Sequence, residues 1–252
     1  MRVTWALAAI AFGLMTSGCS SINGASAKLQ AAKTIGIVSA IGDDFTLTEA
    51  GLTGLADTER NAPIEAWGLD DLMVAHVGTR LAQRFQIVPV TYARASFAAR
   101  QQPSAFTPLN LKNHHDDAIG ELVRTQVSPQ GLDAYVVITK AESAYGSRGR
   151  KVAGIGVIQH RAVFGSSTVL HVLYTVTIVD GHTMKVISKR SAVPSDNTEL
   201  LRLSGPSREI DAGLISAVAS PGSSAELKAA VVDLIDHSLA EALLDLTYRS
   251  AS

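Results

Sequence analysis

Three stretches between residues 34 and 90 do most to restrict the fold. Thr34–Ile41 (TIGIVSAI) is apolar and rich in β-branched residues, and Gly42-Asp43-Asp44 closes it, which predicts a strand ending in a turn. From Leu69 to Arg84 the apolar residues Leu69, Leu72, Met73, Val77 and Leu81 recur at spacings of three and four and line one face of a helix. Phe85–Val90 (FQIVPV) reads as a second strand, with Pro89, which lacks an N–H, near its end or on an edge. A strand, a long helix and another strand predict a parallel pair joined by a right-handed crossover.

Phe45–Leu55 alternates for a few residues and is a candidate strand, and Asp57–Pro63 reads as a loop. Ala93–Gln101 is a short helix candidate. Gln102–Asn113 holds Pro103 and Pro108 and reads as a loop. Asp116–Val127 is predicted as a helix with both Asp residues at its favoured amino-terminal end, broken by Ser128-Pro129-Gln130-Gly131. Ala134–Lys140 (AYVVITK) is a buried-type strand, Ala144–Lys151 a Gly/Arg loop, and Val152–Phe164 and Thr168–Val179 long strand candidates. Asp180-Gly181 signals a hairpin into Met184–Ser191. A short helix is expected at Arg208–Val218, and a final one from Ser223, with Ser223 and Glu226 as a capping box and an apolar face of Leu227, Val231, Leu234, Ile235, Ala242 and Leu246. At 252 residues, 46% hydrophobic and 18% charged, the chain can bury a substantial core. The expectation is an α/β fold over residues 33–252: a single domain with a mixed sheet, antiparallel at its end, flanked by helices.

Residues before 33 read differently. Arg2 precedes Val3–Met15, an apolar run that as a helix covers about 20 Å, short of a hydrocarbon core of about 30 Å. A charged start, a short apolar run and a small-residue exit make residues 1–18 a cleaved signal peptide. Ser17-Gly18-Cys19-Ser20 resembles the lipobox of bacterial lipoproteins, with Thr16 where that pattern prefers Leu. The resemblance implies that Cys19, the only Cys in the chain, receives a diacylglyceryl group and an amide-linked acyl chain such as palmitate. Two or more such chains anchor stably to a membrane. Residues 19–32 are then a lipidated tether. Ser20 stands where Asp would resemble an inner-membrane retention signal, so the expected address is the outer membrane, facing the periplasm.

Further motifs follow in order along the chain: Arg84-Phe85-Gln86-Ile87-Val88, then Gly131-Leu132-Asp133-Ala134-Tyr135-Val136-Val137, then Val179-Asp180-Gly181-His182-Thr183. Together they resemble the envelope domains related to the amino-terminal domain of the Tol-Pal translocation protein and to the curli secretion lipoprotein, although the last motif lacks the usual Gly. That resemblance implies a non-enzymatic role in envelope assembly, secretion or docking of envelope proteins, with no catalytic residues and no cofactor.

Composition excludes some classes. Twenty-two basic against 23 acidic residues leave no footprint for nucleic acid, and a single Cys makes neither an internal disulfide nor a multi-cysteine metal site. The densest set of candidate metal ligands is His114-His115-Asp116-Asp117, which motivates the alternative of a periplasmic hydrolase or metalloenzyme. Neighbouring residues rarely point the same way, however, and a loop whose Asp residues cap a helix accounts for the cluster. His76 lies in the stripe of the first helix and is expected to be partly buried and hydrogen-bonded rather than a base. His160 and His171 are expected on solvated strand faces and His182 at a turn tip. The cations of Gly146–Lys151 suit a solvated hairpin loop, and Gly154-Ile155-Gly156 lacks the third Gly of a dinucleotide fingerprint. Serine-hydrolase, zincin and P-loop signatures do not occur.

Overall fold

The computed structural model describes residues 27–50, 58–99, 109–146, 150–162, 165–192, 203–211, 214 and 217–247. The signal peptide, Cys19 and the tether up to residue 26 lie outside the described residues. After a helical turn at 27–31 the chain forms β1 (Thr34–Ala40), β2 (Asp44–Ala50) and β3 (Thr58–Pro63), then helix α1 (Leu69–Leu81), β4 (Gln86–Val88) and β5 (Thr91–Tyr92). Helices α2 (Arg94–Ala98) and α3 (Leu109–Gln126) lead to β6 (Val127–Ser128), β7 (Ala134–Lys140), β8 (Glu142–Tyr145) and β9 (Arg150–Ala153). There follow β10 (Ile155–Ala162), β11 (Gly165–Val172), β12 (Tyr174–Asp180), β13 (Val186–Ser191), β14 (Ser207–Glu209) and helices α4 (Ala225–Ala242) and α5 (Leu244–Thr247).

The fold is α/β with mixed sheets flanked by helices. The crossover stands as expected: β1 and β4 are parallel neighbours in the register Thr34 to Gln86, and α1 packs on β1 between them. Two five-stranded sheets are present among the described residues, in the orders β13-β12-β7-β1-β4 and β14-β11-β10-β2-β3. In the first, β1 also pairs in parallel with β7, and β12 and β13 add antiparallel strands. In the second, β2 and β10 are parallel while β3, β11 and β14 are antiparallel to their neighbours.

Single chain segments run from one sheet into the other. β1 continues through Ile41-Gly42-Asp43 into β2, and β11 continues through Leu173 into β12. At this joint three backbone bonds close a ring, from Ala141 N to Leu173 O (3.0 Å), Leu173 N to Gly154 O (2.8 Å) and Gly154 N to Ala141 O (3.1 Å). The Lys140 side chain lies across Gly42 and Gly154, both at positive φ, and a Cβ on Gly42 would sit 2.3 Å from Lys140 Cε. That position needs glycine for its backbone angle, since the end of the flexible Lys140 side chain could shift aside.

Side-chain alternation distributes the core. Ile35, Ile37, Val136 and Ile138 of the first sheet face the main cluster with Met73, Val77 and Leu81 of α1 and Leu227, Val231, Leu234 and Leu239 of α4. Phe45, Ile155, Val157, Leu170 and Val172 of the second sheet join the same cluster. The opposite face of the first sheet, through Val38, Tyr135 and Val137, meets Phe97 of α2 and Ile119 and Val123 of α3. The opposite face of the second sheet, through Ile158 and Val169, meets Tyr145 and Val152 of the β8–β9 hairpin. Asp70, near the start of α1, is buried; its Oδ1 accepts from Ser39 Oγ (2.8 Å) and Ile41 N (2.9 Å), which ties the helix to the end of β1. Burial pushes the Asp70 carboxyl up, and the two bonds oppose the shift.

Several expectations are corrected. Asp57–Pro63, read as a loop, contains β3; its polar sequence TERNAP is tolerated because an edge strand pairs on one side only, here with β2. The Thr168–Val179 run is two strands in two sheets, because alternation carries on through Leu173 while the backbone turns. The Ala144–Lys151 loop is largely the β8–β9 hairpin. Helix α3 begins at Leu109, inside the expected Gln102–Asn113 loop, so Asp116 and Asp117 sit within the helix and do not cap it. Of the helix expected at Arg208–Val218, the first residues belong to the strand β14 at 207–209, while Leu214 and Ala217 are helical. Ser224, not Ser223, caps α4: its Oγ accepts from Leu227 N at 3.1 Å, while Ser223 Oγ donates to Ser220 O.

Candidate functional site

The amino-terminal segment meets the first sheet at the end away from the joint, and polar groups gather there. The stretch 27–31, within the segment expected as tether, is helical, and Leu29 is buried in the main core. Arg84, stacked over the Phe85 ring, donates from Nη2 to Leu29 O (3.1 Å) and from Nη1 to Leu246 O (2.8 Å). Lys28 Nζ lies 2.6 Å from Asp180 Oδ2, whose side chain is 7% exposed. Asp133 Oδ2 accepts from the backbone N–H of Lys33 (2.8 Å) and Thr34 (2.9 Å) and from Thr34 Oγ1 (2.9 Å).

Both acidic anchors come from turns that the chain makes by short-range rules. Asp180 Oδ1 accepts from His182 N (3.0 Å) and Thr183 N (2.8 Å), closing the Asp180-Gly181 hairpin tip. Gly181 donates its N–H to Asp133 O (3.0 Å), and a Cβ there would lie 1.8 Å from Leu132 O. That approach sets Asp133 and Asp180 side by side, with His182 Nε2 3.5 Å from Asp133 Oδ1. The backbone N–H groups of Lys33 and Thr34 hold the Asp133 carboxyl down at about 2. Burial pushes Asp180 up, but the Lys28 ammonium and the N–H groups of Thr183 and His182 outweigh it and bring its pKa to about 2. Lys28, Ala31, Ala32, Asp133, Asp180, His182 and Thr183 enclose a cavity of about 310 Å³. The arrangement is a clasp: two fixed negative charges and one buried leucine hold the entering chain to the sheet.

The remaining candidates are dispersed. His114 and His115 belong to α3, and their side chains lie outside the described residues. Asp116 Oδ1 is engaged by Lys189 Nζ at 2.8 Å, and Asp117 is exposed. No group of three or more His, Cys, Asp or Glu able to hold a metal occurs among the described residues. His76 is partly buried, with Nδ1 2.5 Å from Asp236 Oδ1 on α4, a partner that no local pattern could supply. His160 is half-buried. His171, expected on a solvated face, is fully buried instead, because it shares the face of Val169, which the β8–β9 hairpin covers. Its Nδ1 meets Gly154 O at 3.0 Å, its Nε2 has no partner among the described residues, and burial lowers its pKa to about 4 against the pull of the Gly154 bond.

In parallel α/β sheets ligands commonly enter at the carboxyl ends of the strands. Here the carboxyl ends of β1 and β7 run on into the joint, so chain fills that place. No helix among the described residues is long and apolar enough to cross a membrane.

No family model matches the chain, and no curated protein matches it. Among solved structures it is similar to lipoprotein GNA1162 from Neisseria meningitidis, at 11% identity and a TM-score of 0.28, over 83% of this chain and 99% of that one. It is also similar to the hypothetical protein CT253 from Chlamydia trachomatis, at 13% identity and a TM-score of 0.27, over 84% and 99% of the two chains. Likeness at that level decides neither fold nor role.

Proposed function

We propose that this chain is a lipid-anchored envelope module, held by acyl chains on Cys19 and acting by binding or assembly rather than by catalysis. The observation that supports the reading best is the clasp. It fixes the entering chain at one end of the first sheet, while β1 runs about 23 Å from that end to the joint and the second sheet. The seven residues from Ser20 to Ser26, fully extended, span at most about 25 Å. A module built this way has an attached end and a free end, with the second sheet outermost. The Tol-Pal and curli resemblance of the first sheet's motifs fits an assembly or docking role of this kind, at the periplasmic face of the outer membrane.

The test is Cys19→Ala with membrane fractionation and mass spectrometry of the mature chain. The expected result is an acylated Cys19 as first residue in the parent and release of the variant from membranes. A mature parent chain with an unmodified thiol, or a variant that still partitions with the membrane, overturns the reading.

A further inference from the structure

The free end of the second sheet carries a cavity of about 370 Å³, within the size range of small-ligand pockets. Alternation puts Phe45, Leu47 and Glu49 on one face of β2. Ala62 and Arg60 of β3 stand opposite Phe45 and Leu47, and Gln159 of β10 opposite Glu49. Val218 and Ala219 form the facing wall. Phe45 is buried and Leu47 only partly covered, so the floor is apolar and reachable.

The rim carries two opposite charges that are loosely engaged. Arg60 Nη2 is 3.7 Å from Glu49 Oε1, with the Arg60 side chain 72% exposed, and Thr58 Oγ1 reaches Glu49 Oε2 only at 3.4 Å. An exposed ion pair of that length holds weakly, so a ligand bearing both charges replaces one poor contact with two good ones. We propose that this cavity binds a small zwitterion with a branched apolar side chain, of the class of free aliphatic amino acids or short aliphatic peptides. Its ammonium meets the Glu49 carboxylate, its carboxylate meets the Arg60 guanidinium, and its side chain lies on Leu47 and Phe45 against Val218. The site does not depend on the lipid anchor.

Calorimetric and NMR titration of the detergent-solubilised full chain tests it, with leucine and leucyl-leucine as probes. One of the two should bind saturably at one site, and whichever binds tighter distinguishes free amino acid from peptide. Glycine, which lacks the side chain, and 4-methylpentanoate, which lacks the ammonium, should bind at least about tenfold more weakly. Glu49→Gln and Arg60→Gln should each weaken binding about tenfold or more with little change in melting temperature, since Arg60 is exposed and the pair they form is long. Absence of saturable binding of either probe up to about 10 mM, or binding that survives both substitutions, overturns the proposal.

Discussion

The two five-stranded sheets share a core but are covered differently. In the first, β12 is buried throughout and β1 and β7 at all but one residue each, with helices on both faces. In the second, β2 is buried at only some positions and β3 at none; α4 covers part of one face and a short hairpin the other. A strand with both faces covered can be apolar at every residue, whereas a half-covered one must answer to water. The first sheet therefore carries stability, and the second keeps surface and a cavity free.

Substitution can break that contrast. Ile37→Ala in the first sheet, where the side chain is 2% exposed, should cost about 3 kcal/mol in urea unfolding, while Leu47→Ala on the open floor of the second should cost under about 1. Equal losses would mean that the two sheets are equally packed.

The second sheet should also govern the response to mild acid. Burial lowers the His171 pKa from 6.5 to about 4, so below pH 6.5 the unfolded chain takes up a proton that the folded chain refuses. Stability should fall by roughly 3 kcal/mol between pH 6.5 and about 4 and then level off. His171→Gln, which keeps a donor for the Gly154 carbonyl, should flatten that slope in thermal melts across pH.

At the clasp the sign runs to lower pH. The Asp180 pKa is depressed from 3.8 to about 2, so its contribution is complete above pH 3.8 and disappears as pH falls through 2. Asp180→Asn should cost about 2 kcal/mol at pH 7, with parent and variant converging near pH 2. The smallest effect sharpens the boundary of α4, which covers both sheets. Ser224→Ala should lose about 1 kcal/mol in thermal melts, and Ser223→Ala close to nothing, because only Ser224 accepts from the helix.

Local periodicity made the first sheet legible. The stripe from Leu69 to Leu81, the β-branched runs of β1 and β7 and the Asp180-Gly181 turn each declare themselves within a dozen residues. The second sheet was harder to read. TERNAP has no strand signature of its own and is extended because β2 offers it a partner. The bend at Leu173 is invisible because an apolar residue there satisfies the run on either side. At the clasp, Asp133 and Asp180 fall within motifs that stand out, but Lys28 is 152 residues from Asp180, Lys33 is 100 from Asp133, and no spacing rule reaches that far. The burial of His171 is equally invisible, because the face it shares with Val169 is covered by the β8–β9 hairpin, whose strands read as parts of a loop and of a longer strand.

The joint bears on mechanics. A pull applied at the amino-terminal helical turn travels along β1, which parallel neighbours flank on both sides, so those backbone bonds are loaded in shear and share the force. Because only Ile41, Gly42 and Asp43 separate β1 from β2, the same tension is delivered directly to the second sheet, and the two halves resist extension as one body.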